Sequence, residues 1–213
     1  MDILKKAWVG SLENRIAEIV ELVGKVTVER KEFLDTAAER IAKELSAQEE
    51  AKLNFICTHN SRRSHLAHVW ATVAAHAYGL VHLSAYSGGT EATACNERTV
   101  SSLKRSGFEI SKKGEGENPH YLCKYSTSAP AIDLFSKVYD QEGNPESRYF
   151  AMMCCSDVDE ACPIIHGAHA RIPLHYQDPK SSDGTPEEAA TYDQRSEQIG
   201  AEMFYLMRQV ASK

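Results

Sequence analysis

A cysteine, an arginine and a serine are spaced so that they could hold and attack an anion. Cys57 ends the apolar run 54–56, and Arg63 and Ser64 follow where a helical pattern begins. A loop that joins a parallel strand to a helix lies at the carboxyl edge of the sheet, where open α/β folds bind ligands. Backbone N–H groups of such a loop, and of the first helical turn, favour a bound anion.

This arrangement of residues is typical of a nucleophile in an oxyanion-binding loop. The N–H groups and the Arg63 charge favour the thiolate form of Cys57, and the planar guanidinium matches two oxygens of a tetrahedral oxyanion. Asn60 tolerates the left-handed conformation of a tight loop. Ser64 could donate to the thiolate or cap the helix. We expect the oxyanion-binding residues to be Thr58, His59, Asn60, Ser61, Arg62, Arg63 and Ser64.

Composition limits the class of protein. The chain has 213 residues, 42% hydrophobic and 25% charged, which predicts one packed domain. A formal charge of -6 argues against a nucleic-acid-binding surface. No apolar run reaches the ~18 residues of a membrane span, and the first residues lack a secretory signal. We therefore expect a cytoplasmic protein, with its six cysteines mostly reduced and no cofactor implied.

Two amphipathic helices precede an alternation of strands and helices. Apolar residues recur at helical spacing over 10–24 and 29–47. We assign residues 1–50 to an N-terminal helical extension, which packs on the main domain or forms a homodimer contact. Residues 51–213 are predicted to form an α/β domain with an open, parallel, four-stranded sheet and helices on both faces. Its Gly- and Pro-rich segment 111–149 is predicted to be an insertion with its own hairpin.

Three segments resemble one known family. The octapeptide from Cys57 to Ser64 looks like the phosphate-binding loop of the low-molecular-weight phosphotyrosine phosphatases, which include the thioredoxin-coupled arsenate reductases. Residues 86–110 resemble the second strand and helix of that family, and Asp178-Pro179 resembles its general-acid loop. The likeness covers roughly residues 52–110 and 150–210. It implies that Asp178 gives a proton to the leaving oxygen as Cys57 attacks phosphorus.

A second cysteine motif favours the arsenate reductase branch. Those reductases carry Cys-Ser-Asp-x-Asp-x-x-Cys-Pro after the strand beside the first, and residues 155–163 fit this pattern. The resemblance implies that Cys57 binds arsenate, that Cys155 attacks Cys57 as arsenite leaves, and that Cys162 then attacks Cys155. Thioredoxin would reduce the final disulfide. Cys154 leaves open which cysteine is the relay thiol. The alternative function is phosphate-ester hydrolysis through a Cys57 phosphocysteine.

Rival interpretations use other features of the same segments. Cys155, Cys162, His166 and His169 could form a zinc site, although the gap between the cysteines is longer than usual. A catalytically silent anion sensor is a third possibility. His68 stands where some reductases supply a carboxylate to a potassium site, so the resemblance predicts no metal here. Lys180 follows Asp178-Pro179 where phosphatases often carry tyrosine, which weakens the prediction of a phosphotyrosine-binding wall.

Overall fold

The computed structural model describes residues 6–161 and 164–213. The strands are β1 (Ala51–Cys57), β2 (Leu83–Gly89), β3 (Glu109–Lys113), β4 (His120–Lys124), β5 (Ile132–Leu134), β6 (Tyr149–Met153) and β7 (Ala168–Pro173). The helices are α1 (Leu12–Leu22), α2 (Val28–Gln48), α3 (Arg63–Tyr78), α4 (Glu97–Arg105), α5 (Ser156–Ala161) and α6 (Glu188–Ala211). Short 3-10 turns cover Val23–Lys25 and Pro179–Ser182.

Four parallel strands form the central sheet in the spatial order β2-β1-β6-β7. Strand β1 pairs with both β2 and β6, and Ile56 lies opposite Met153 in register. Both β1 and β6 are almost fully buried, as expected of parallel strands whose two faces are covered by helices. The predicted α/β class and four-stranded parallel sheet are therefore confirmed.

Helices α3 and α6 form the packed layer that orients the loop between β1 and α3. Trp70 of α3 is fully buried, and its ring meets Phe108 and Phe204 edge-on. Its Nε1 donates to Ser196 Oγ at 2.9 Å. Gly200 of α6 approaches this ring so closely that an added Cβ would lie 3.2 Å from Trp70. The amino terminus of α3 is therefore held by a tightly packed core.

Local sequence signals set the ends of two helices. Gly79 follows α3 with a φ of 73°, the left-handed conformation that favours glycine after a helix. Asn96 precedes α4, and its side chain accepts a hydrogen bond from Arg98 N–H at 2.9 Å. Both signals act within one turn of chain, so no distant contact is needed to explain them.

The N-terminal helices pack against α6. Leu12, Ile16 and Ile19 of α1 and Leu34 and Ile41 of α2 are completely buried. Their apolar faces are thus used within the chain, and a homodimer through these helices remains a prediction that would need other surfaces. Within the described ranges, no helix combines the length and apolar character needed to cross a membrane.

A separate antiparallel sheet, in the order β3-β4-β5, covers the end of β2. The chain that leaves β5 runs beside the carboxyl end of β2, where Gly89 and Val138 form a parallel bridge. Gly88 makes this approach possible, because a Cβ there would lie 2.3 Å from Tyr139 Cα. The segment after β5 therefore lies against the back of the loop that follows Cys57.

Candidate active site

The loop between β1 and α3 turns its carbonyl groups outward. Thr58 O accepts from Glu91 N–H at 2.9 Å, and His59 O accepts from Ser136 Oγ at 2.8 Å. Ser61 O accepts from Asn96 N–H at 3.0 Å. In a trans peptide the N–H of the next residue points opposite to the carbonyl. Outward carbonyls therefore turn the following N–H groups away from these anchoring residues.

Those N–H groups have no protein acceptor. Among residues 6–161 and 164–213, no hydrogen bond is formed by the backbone N–H of residues 59–62. Helix α3 begins directly after them at Arg63 and has no side-chain cap. Unpaired donors at a helix amino terminus, with the positive end of the helix dipole behind them, favour a bound anion.

Asn60 fixes the shape of the loop from inside. Its φ is 43°, so the predicted left-handed conformation is confirmed. Its Oδ1 accepts from Lys137 N–H at 3.0 Å, and its Nδ2 donates to Ser64 Oγ at 2.9 Å. The Lys137 N–H can only donate, so the orientation of the Asn60 amide is determined.

Cys57, the predicted nucleophile, lies at the end of this chain of hydrogen bonds. Cys57 Sγ is 3.1 Å from Ser64 Oγ, and the cysteine is 4% exposed. Because Asn60 donates to Ser64 Oγ, the Ser64 hydroxyl hydrogen remains available for the sulfur. Of the two roles that the sequence left open for Ser64, the hydrogen bonds favour donation to the Cys57 sulfur over capping of the helix.

Arg63 and Asp178 meet beside the loop. Arg63 Nη2 donates to Asp178 Oδ2 at 2.8 Å, and Nη1 donates to Tyr176 O at 3.0 Å. The Arg63 Nε atom is buried and has no hydrogen-bond partner among the described residues. Asp178 also accepts from Lys180 N–H at 3.0 Å, which fixes its carboxylate at the start of the 3-10 turn. The structure therefore brings Asp178 to Arg63, from a part of the chain 115 residues away.

The Arg62 side chain forms two hydrogen bonds with a distant part of the chain. Its Nε donates to Tyr192 Oη at 2.6 Å, and its Nη2 donates to Asp183 Oδ2 at 3.0 Å. The guanidinium therefore ties the loop to the segment before α6, and only its backbone N–H remains for an anion. Tyr192 and Asp183 thus hold the Arg62 side chain, and its predicted role in oxyanion binding stays a prediction.

His59 lies at the outer edge of the loop. Its ring is exposed, and Nε2 is 3.6 Å from Glu91 Oε2. A cavity of about 830 Å³ begins at His59 and Ser61 and continues between the β3–β4 connection and Lys180. It provides a groove next to the loop that is much larger than a tetrahedral oxyanion.

Cys154 and Cys155 follow β6 and lie beside the loop. Cys154 N–H donates to Ile56 O at 2.7 Å, and Cys155 Sγ is 3.7 Å from Thr58 Oγ1. Burial, followed by the nearby Cys57 sulfur, raises the pKa of Cys154 well above its ordinary value, so this thiol stays protonated near neutral pH. Cys162 lies outside the described residues, and its predicted place in the relay stays a prediction.

Helix α5, which follows Cys155, is held to β7 and to the residues just after it. In α5, the Asp159 carboxylate pairs with Arg171 and with His175, whose Nε2 lies 2.7 Å from Oδ2. His169, one of the residues of the rival zinc site, packs its ring against Phe150 at 4.5 Å between centroids. Within the ranges 6–161 and 164–213, no three His, Cys, Asp or Glu side chains are grouped to hold a metal ion.

A buried ion pair that was not predicted from the sequence supports the site through Tyr176. Arg30 of α2 donates to Glu202 of α6 through Nε at 3.0 Å and Nη2 at 2.6 Å. Tyr176 Oη also donates to Glu202 at 2.9 Å, and Tyr176 O is the acceptor for Arg63. The sequence contains one indication of this ion pair. Glu202 interrupts an otherwise apolar stretch of α6, where a carboxylate without a partner is costly.

Comparisons with known proteins agree with this architecture. Residues 52–118 match the family described as low molecular weight phosphotyrosine protein phosphatase. None of the curated proteins matches the chain. Among solved structures, a YwlE mutant from Bacillus subtilis is similar with a TM-score of 0.51 and 14% identity, covering 76% of this chain and 99% of that one.

Two further structures share this likeness. A low-molecular-weight protein tyrosine phosphatase from Bacillus subtilis has a TM-score of 0.50 and 13% identity, covering 76% of this chain and 98% of that one. An arsenate reductase in the phosphate-binding state has a TM-score of 0.46 and 14% identity, covering 75% and 98%. Residues 52–118 thus carry the sequence signature of the low-molecular-weight phosphotyrosine phosphatase family, and the parallel sheet with its helices has that family's fold.

Proposed function

We propose that the protein is an enzyme that attacks the central atom of a tetrahedral oxyanion with the Cys57 thiolate. The observation that carries this proposal is the set of unpaired N–H donors in residues 59–62, beside a sulfur that Ser64 stabilises. The buried Arg63 Nε, which lacks a partner among the described residues, supplies a further donor. Several fixed donors around one nucleophile favour an anion whose charge increases during the reaction.

The leading reaction is the reduction of arsenate to arsenite. The Cys57 thiolate forms a sulfur–arsenic bond, and an arsenate oxygen leaves as water after protonation. The Cys155 thiolate then attacks Cys57 sulfur; the sulfur–arsenic electron pair passes to arsenic, and arsenite leaves. Cys162 attacks Cys155 in the Cys57–Cys155 disulfide, which releases the Cys57 thiolate and forms a Cys155–Cys162 disulfide. The dithiol of thioredoxin or a similar reductant then supplies two electrons that restore the two thiols and becomes a disulfide itself.

The position of Cys155 favours this reaction over one that uses a single thiol. Its sulfur contacts Thr58, the residue after the nucleophile, so a short movement would bring the two sulfurs together. Cys154 is a weaker relay candidate, because burial raises its pKa.

Steady-state turnover tests the relay. Arsenate-dependent NADPH oxidation would be followed with thioredoxin and thioredoxin reductase, using wild type, Cys155→Ser and Cys162→Ser. Each variant should lose multiple turnover, whereas Cys95→Ser, a control that removes a fully buried thiol, should retain it. Undiminished turnover in Cys155→Ser would overturn the relay.

Phosphate-ester hydrolysis is the second candidate, and the Arg63–Asp178 contact favours it. A bound phosphate ester would take the Arg63 donors and bring its own negative charge beside Asp178, which favours the protonated, proton-donating carboxyl. The groove beginning at His59 could hold the alcohol part of the ester. With p-nitrophenyl phosphate, Asp178→Asn should lower kcat while Cys155→Ser leaves it unchanged. Equal kcat in Asp178→Asn and wild type would exclude the acid role.

A further inference from the structure

Lys137 has a buried ammonium with no anion in contact among the described residues; burial lowers its pKa, and the Asp133 charge opposes that shift. Its side chain is 6% exposed, and its ammonium lies 4.6 Å from the centre of the Phe135 ring. Within residues 6–161 and 164–213, Nζ forms no hydrogen bond and no ion pair. The nearby Asp133 carboxylate is held by His120 Nδ1 at 2.9 Å. An ammonium that is buried without an anion is costly, so a missing partner is indicated.

Two imidazoles and one thiol near Lys137 are neutral. Burial, followed by the Lys137 charge, lowers the pKa of His68 to about 3, and His65 shifts in the same direction for the same reasons. Both imidazoles face Ser87 Oγ, at 3.3 and 3.4 Å. Burial raises the pKa of Cys95 to about 12, so this thiol also stays uncharged. The carboxylate that acts on Lys137 is therefore that of Asp133, which also lines the cavity and is already held by His120.

Lys137 lines a cavity of about 790 Å³ that is distinct from the groove at His59. The cavity and the groove share no lining residue. Its walls are largely apolar or aromatic, including Leu83, Tyr86 and Phe135, and it reaches the surface at Val81, which is 83% exposed. A ligand could thus enter from solvent and place an anionic end against the ammonium.

We propose that this cavity binds a small monocarboxylate with an apolar body, its carboxylate paired with Lys137. One buried cation between neutral imidazoles fits a single negative charge, and the apolar walls fit an aromatic or branched aliphatic group. The site adjoins the rear of the catalytic loop, because the Lys137 backbone N–H also holds Asn60. The proposed carboxylate site uses neither Cys57 nor Arg63, so it can be tested independently of the proposed function.

Benzoate and benzamide are matched probes, since they share a ring and differ in charge. Isothermal titration with wild-type protein in saturating inorganic phosphate, which occupies the catalytic loop, should show benzoate binding roughly 10- to 100-fold tighter than benzamide, the effect of one charge-assisted hydrogen bond. The backbone and imidazole NMR signals of Lys137 and His68 should shift with benzoate. Equal affinity for the two probes, or displacement of benzoate by phosphate, would overturn the proposal.

Lys137→Met should remove the preference for benzoate while leaving benzamide binding unchanged. Lys112→Met is the control, because Lys112 lines the separate groove. Circular dichroism and the NMR spectrum would report whether Lys137→Met is folded, and the wild-type comparison of the two probes stands without this variant. A folded Lys137→Met protein that still prefers benzoate would contradict the assignment.

Discussion

Replacing Arg30 with methionine should lower the free energy of unfolding, because the buried Glu202 carboxylate would lose its charged partner. The Glu202 side chain is 4% exposed and the Arg30 side chain 23%. Removing one member of a buried ion pair typically costs about 3–5 kcal/mol. Because Arg30 is partly exposed and Glu202 keeps the donors Tyr176 Oη and Gln198 Nε2, we expect a loss of about 2–3 kcal/mol in the free energy of unfolding.

The double variant Arg30→Met/Glu202→Gln separates charge from packing. The neutral glutamine can still accept from Tyr176, but it leaves no buried charge without a partner. The double variant should therefore be about 1 kcal/mol more stable than Arg30→Met alone, a non-additivity typical of contacting residues. Urea unfolding at neutral pH would measure each free energy.

A surface variant on the same helix provides the control. Arg40 is exposed and donates only to a backbone carbonyl, so Arg40→Met should change the free energy of unfolding little. If Arg30→Met were no less stable than Arg40→Met, or if the double variant lost the sum of the two single effects, the inferred role of the pair would be wrong. Arg30→Met should also lower kcat/KM, since Tyr176 O orients Arg63.

Three further changes test the loop and its surroundings. Ser64→Ala removes the hydroxyl donor and should slow iodoacetamide alkylation of Cys57 roughly 10- to 100-fold; an unchanged rate would show that the bond does not stabilise the thiolate. In Gly89→Ala, the new Cβ would lie 2.6 Å from Thr58 O, so anion affinity and thermal stability should both fall, whereas Gly24→Ala, with open space around it, should be tolerated. The pKa of His68 is lowered to about 3 in the fold, so the unfolded chain alone binds a proton as pH falls from 6.5 towards 3, and stability is lost over that window. In urea unfolding at pH 6 and 5, His68→Gln should reduce this loss of stability by about 1.4 kcal/mol per pH unit. If the free energy of unfolding changed with pH as steeply in His68→Gln as in wild type, a neutral, buried His68 would be contradicted.

The sequence alone determined the parts of the site that lie within one short segment. Cys57, Asn60 and Ser64 are seven residues apart or less, and a strand, a left-handed turn and a helix start are each specified by neighbouring residues. The positive φ of Asn60 followed from the tolerance of that residue type for the left-handed region. The same holds for the helix ends at Gly79 and Asn96.

Tertiary structure decided everything that depends on contacts between distant residues. Arg62 looked like an anion ligand by its position, but Tyr192, 130 residues away, takes its guanidinium. Arg30 and Glu202 are 172 residues apart, and no local pattern pairs them. A side chain's neighbours in sequence fix its backbone conformation, whereas its charge partners are fixed by which helices and strands pack together.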